Sequence, residues 1–164
     1  MGMVWLMRTA SDDDVAMLRQ DPTAVADFID SEQGLEGGTT FDVEKQWHAI
    51  HFLLTGSADP TDSPLSLILG EFEEIGPDHG YGPAWFIPGA FIQRFNEALS
   101  ATNDAELAAR YDTAAMLRDE VYIAGALDAE GEEGLEFLME DVARLRVFAA
   151  KAAGDGLSAF AFIT

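Results

Sequence analysis

Two of the chain's three histidines lie three residues apart in Trp47-His48-Ala49-Ile50-His51-Phe52-Leu53-Leu54-Thr55-Gly56, and Glu44 precedes His48 by four. Imidazole is the side chain whose unperturbed pKa lies nearest neutrality, so a histidine beside a carboxylate can move protons as general acid or base. At about 100° per helical residue, Val43, Trp47, Ile50 and Leu54 form a core stripe. Glu44, His48, His51 and Thr55 fall in an adjoining sector about 60° wide. On that helix Glu44 orients His48 one turn later, and His51 is close enough to share a water, a metal or an anion. The alternative is that His48 is solvated and His51 is a boundary histidine bonded to a main-chain carbonyl.

A second segment belongs with this question. Residues 76–83, Gly-Pro-Asp-His-Gly-Tyr-Gly-Pro, hold three glycines and two prolines, a shaped loop whose backbone can approach other groups closely. A concave site where the 44–55 helix meets the 76–84 loop makes His51 the catalytic candidate, with Glu44 or Asp78 orienting it. His48, Thr55 and Tyr81 are the binding candidates. Trp85, Phe86 and Phe91 either line such a pocket or build core, and core is the simpler reading because aromatics dominate small cores.

Other chemistries are excluded by what is missing. There is no cysteine, so thiolate catalysis, iron–sulfur clusters and thiolate zinc sites are ruled out. The histidine spacing is not that of the His-Glu-x-x-His zinc motif, and a metal would need further ligands such as Asp78 or His79. No metal and no cofactor are expected. No Gly-x-Ser-x-Gly elbow and no Walker or dinucleotide glycine pattern occurs.

Nine basic against thirty acidic side chains give a formal charge of −21 over 164 residues. That charge repels phosphate backbones and anionic headgroups, which argues against nucleic acid and membrane surfaces. It serves solubility, or forms an acidic face for a basic partner. No apolar run approaches the about 20 residues needed to cross a bilayer, and no basic region precedes the short apolar N-terminus. A cytoplasmic location is expected.

The elements that must carry these residues read as follows. Residues 3–8 form a strand, and Ser11 followed by three aspartates starts a helix to about Arg19. Asp21-Pro22 restarts it, with Val25, Phe28 and Ile29 as its apolar face. Glycines 34, 37 and 38 mark a loop. The next helix covers about Asp42 to Thr55 and stops at Gly56. Residues 65–69 form a short buried helix or strand, and Trp85–Ile87 a short strand. A helix runs from Pro88 to Ser100, others begin at Asn103 and Asp112, and the last spans about Glu130 to Ala153. Leu157–Ile163 alternates as a strand does. Pairing the two terminal strands, with Trp85–Ile87 as a third, gives a single α+β domain over 1–164, several helices packed on a small sheet.

The stretch from Asp42 to Gly56, the Pro64-Leu65-Ser66 to Leu69-Gly70 segment and Gly80-Tyr81-Gly82-Pro83-Ala84 resemble the YfbM-like family of small bacterial proteins. The resemblance runs in register to the late helix with Leu138, Val142 and Leu145. It implies a bacterial α+β domain and assigns no chemistry, since the family's function is unknown. It departs at Trp85, where the family pattern has an arginine, and His48 varies, which favours His51 of the pair. The functional expectation is a binding or interaction module, of immunity or regulatory type, engaging an unknown protein or small-molecule partner. The rival is a small hydrolase or isomerase using His51.

Overall fold

Alternation at both chain ends produces the centre of the fold. In the computed structural model, which describes residues 2–164, Trp5–Ala10 forms strand β1 and sends Trp5 and Met7 to one face, Leu6 and Ala10 to the other. Ser158–Ile163, the last strand β5, pairs antiparallel along all of β1, from Trp5 opposite Ile163 to Ala10 opposite Ser158. The remaining strands are β2 (Thr40–Asp42), β3 (Glu73–Ile75) and β4 (Ala84–Ile87), and the sheet order is β2-β1-β5-β4-β3 with every pair antiparallel. Both terminal strands therefore lie in the sheet and pair with each other, as their patterns require. Strands β2 and β3 have only three residues each, too short for alternation to show in the sequence.

One face carries helices α1 (Asp12–Gln20), α2 (Val25–Ile29) and the short α3 (Glu32–Glu36). Leu18, Val25 and Ile29 bury against Leu6, Phe160 and Phe162 there. Ser11 caps α1 through a reciprocal box with Asp14, in which Ser11 Oγ accepts from the Asp14 N–H and Asp14 accepts from the Ser11 N–H. The glycine-rich stretch expected to be a loop contains α3, because Ser31 caps it by accepting from the Gly34 N–H.

The opposite face carries the larger core and helices α4 (Trp47–Thr55), α5 (Gly89–Ser100), α6 (Asp104–Ala108), α7 (Thr113–Arg118), α8 (Ala124–Glu130) and α9 (Glu132–Gly154). Asn103 and Asp112 cap α6 and α7, as their positions ahead of apolar runs predict. The expected last helix begins two residues later than read, because Gly131, at φ 62°, breaks it from α8. Residues 65–69 form neither helix nor strand. Leu65, Leu67 and Ile68 are buried from an irregular segment held by Ser66, whose Oγ donates to the Leu69 carbonyl and accepts from the Thr61 N–H.

The main correction concerns the 42–55 helix. Asp42 lies in β2, residues 44–46 form a single 3-10 turn, and α4 starts at Trp47. Glu44 has φ 47°, a left-handed conformation that interrupts helical geometry between it and His48. Gly56 ends α4 at φ 75°, the expected left-handed stop.

Candidate functional site

The boundary stripe of α4 turns out to face a neighbouring segment of chain. His48 Nε2 lies 2.8 Å from the Ala58 carbonyl oxygen, and His51 Nε2 lies 2.8 Å from that of Asp59. A carbonyl oxygen only accepts, so each imidazole donates from Nε2–H and keeps Nδ1 as its free acceptor. His48 Nδ1 is filled by the main-chain N–H of Tyr122 at 2.9 Å, and its ring stacks on Trp47. His51 is fully buried and its Nδ1 has no partner among the described residues. Burial pushes the His51 pKa down, against the Asp59 carbonyl bond that raises it, so the ring is neutral. Thr55 Oγ1 donates to the His51 carbonyl and accepts from the Ser57 N–H. His48, His51 and Thr55 thus staple residues 57–59 onto α4, while Glu44 stands apart on its own turn.

The loop residues belong elsewhere. Asp78 Oδ1 accepts from the Gly80 and Gly82 N–H groups, closing the β3–β4 hairpin loop, and Tyr81 is exposed at its tip. His79 meets the Phe162 ring edge-on at 5.8 Å, and a Cβ at Gly76 would stand 2.6 Å from the Pro22 carbonyl oxygen. These contacts put the loop on the face covered by α1 and α2. The α4 core lies across the sheet. The site expected between the 44–55 helix and the 76–84 loop is therefore not formed: a layer of sheet separates His51 from Asp78 and Tyr81. His51 lines neither the cleft beside α9, nor that beside α5, nor the small hollow at Thr9 and Thr39. The hydrolase or isomerase reading loses its acid–base group on the same geometry. Trp85 and Phe86 pack against the two cores, as expected of them.

Two concave surfaces of about 390 Å³ each remain. The first lies between residues 42–46 and α9, lined by Asp42, Glu44, Gln46, Phe137, Asp141 and Arg144, with Val43 and Glu140 completing it. Arg144 donates to Asp141 at 2.6 Å and to the Asp42 carbonyl at 3.3 Å, and its guanidinium lies 5.0 Å from the Phe41 ring centre. Burial pushes the Asp141 carboxyl up, the Arg144 hydrogen bond and charge pull it down, and the Asp42 and Glu44 carboxylates push it up again. The side chains of Asp42, Glu44 and Glu140 make no ion pair among the described residues. The Gln46 amide oxygen is buried without a partner among the described residues, and Phe137 is half exposed. Chemically this is a cleft with surplus negative charge and an aromatic wall.

The second cleft lies between residues 61–72 and the start of α5. No group of three or more His, Cys, Asp or Glu side chains able to hold a metal occurs among the described residues. Of the catalytic and binding candidates only Glu44 lines a cleft, the first, while Phe91, read as pocket wall or core, lines the second. Sequence reasoning missed the companions of Glu44 because α9 was read for its buried stripe of Leu138, Val142 and Leu145. Phe137, an apolar residue off that stripe, was the available signal.

The fold and these surfaces define an α+β protein with helices on both faces of a five-stranded antiparallel sheet, carrying clefts at its helical layer. The chain belongs to the family described as a domain of unknown function, DUF1877, whose model matches residues 1–162. Its structure is similar to the crystal structure of YfbM, a protein of unknown function from Escherichia coli. The TM-score is 0.72 at 20% identity, covering 98% of this chain and 99% of the other. No curated relative matches the chain. Among the described residues no helix is long and apolar enough to cross a membrane.

Proposed function

We propose that this protein is a cytoplasmic interaction module, of regulatory or immunity type, that receives a lysine or arginine side chain of a protein partner in the cleft between residues 42–46 and α9. The observation that carries this reading is the surplus of carboxylates in that cleft, where Asp42, Glu44 and Glu140 make no ion pair among the described residues. These carboxylates select a cationic donor, and the half-exposed Phe137 offers a ring face to its stem or guanidinium. The chain's overall charge of −21 accelerates encounter with a basic partner.

The test is affinity capture from the native host on three baits: the wild-type protein, Glu44→Gln/Glu140→Gln, and a control with two acids neutralised on α1, Asp12→Asn/Asp13→Asn. The proposal expects a basic partner released by moderate salt, lost on the cleft variant and kept by the control. Equal capture on all three baits contradicts it.

A further inference from the structure

We infer that the second cleft, between residues 61–72 and α5, is a binding site for a small zwitterion with an apolar side chain, a free amino acid of aromatic or branched type. The first element is a set of unused donors. Thr61 Oγ1 accepts from the Ser63 N–H at 3.2 Å and Ser63 Oγ accepts from the Leu65 N–H at 3.1 Å, while neither hydroxyl donates a hydrogen bond of its own among the described residues. Both residues are half-buried in the cleft wall, so each O–H is held in place with its hydrogen free.

Arg94 is the third donor. In a chain of thirty acids and nine bases, most cations are engaged. Arg19, Arg118, Arg144, Arg146 and Lys151 form ion pairs, and Arg8 and Arg110 donate to main-chain carbonyls. Arg94 makes no ion pair or hydrogen bond among the described residues and only leans over Phe91, its guanidinium carbon 5.7 Å from the ring centre. A planar guanidinium with two hydroxyl donors in one cleft matches a carboxylate.

The opposite polarity comes from Asp62 and Glu71, which line the same cleft and make no ion pair among the described residues. A simple anion would be repelled by them. A ligand with an ammonium beside its carboxylate satisfies both signs. Phe72 and Phe91 meet edge to face at 4.9 Å and supply the apolar wall, and about 390 Å³ lies within the usual range of small-ligand sites.

Calorimetric titration with phenylalanine and leucine tests this, alongside phenylalaninamide, which lacks the carboxylate, and N-acetylphenylalanine, which lacks the ammonium. The free amino acids are expected to bind saturably. Each masked analogue, and Arg94→Gln with the free amino acids, is expected to bind at least about tenfold more weakly, the size of one lost charge-assisted hydrogen bond. Arg94 is exposed, so a thermal melt of Arg94→Gln should match wild type and separate lost binding from lost folding. Asp12→Asn, on α1 across the sheet, should bind as wild type does. Absence of saturable binding by either amino acid, equal affinity for the amide, or an unchanged Arg94→Gln overturns the inference and leaves the proposed interaction surface untouched.

Discussion

His51 donates from Nε2 to the carbonyl oxygen of Asp59 across 2.8 Å, and its Nδ1 is buried without a partner among the described residues. The histidine is thereby fixed in one tautomer and in the neutral state, a structural clamp on the segment leaving α4 rather than an exchangeable proton carrier. Its protonation couples directly to folding.

The direction of that coupling follows from the depressed pKa. Burial lowers the folded-state value below about 6.5, so between those two values the unfolded chain binds more protons than the folded one. Stability from His51 is complete above about pH 6.5 and is lost as pH falls toward the folded-state pKa. The charges facing the ring come from His48 and Asp59, the first lowering and the second raising its pKa. Denaturant unfolding of wild type and His51→Gln at pH 8 and pH 5.5 should show a steeper loss in wild type. Parallel losses would show that His51 does not titrate with folding.

Gly56 closes α4 at φ 75° with open space around the position a Cβ would take. Gly56→Ala therefore pays only the backbone cost of a left-handed L-residue, about 1–2 kcal/mol, and Gly56→Asn a smaller fraction. Equal destabilisation by the two variants, measured by urea midpoint, would contradict this account of the stop.

Arg110 Nη1 donates to the Leu53 and Leu54 carbonyls, satisfying the C-terminal end of α4 from α6's far side. Arg110→Ala should cost about 1.5–3 kcal/mol in denaturant unfolding, the value of a charged hydrogen bond. A loss under about 0.5 kcal/mol, normal for surface changes, would remove Arg110 from the clamp.

Much of the scaffold was legible because it rests on local chemistry. Ser11, Asn103 and Asp112 announce their helices as caps, and β1 and β5 announce themselves by alternation. The candidate site was not, for two physical reasons. The helical projection that put Glu44 beside His48 assumed continuous αR geometry, and the left-handed Glu44 breaks it. Placing His51 near the 76–84 loop required knowing which face of the sheet each element covers, and that depends on long-range pairing invisible to periodicity. The bond of His51 to the Asp59 carbonyl matches the plainer of the two readings the residues allowed, whereas His48, solvated in that reading, is held between the Ala58 carbonyl and the Tyr122 N–H.

Glu44 separates stability from binding. A non-glycine residue at φ 47° carries about 1–2 kcal/mol of backbone strain that glycine lacks, offset in part by glycine's greater unfolded-state entropy. Glu44→Gly should hold or raise the melting temperature while weakening capture of a cationic partner. A variant both destabilised and fully binding-competent would reverse the assignment.

The central claim, a cation site between residues 42–46 and α9, is tested most directly by amide chemical-shift mapping during titration with N-acetylarginine amide. The account predicts saturating shifts concentrated at residues 42–46 and 137–144, abolished in Glu44→Gln/Glu140→Gln and weakened in Phe137→Ala. Small, unsaturable shifts spread over the whole acidic surface would contradict it.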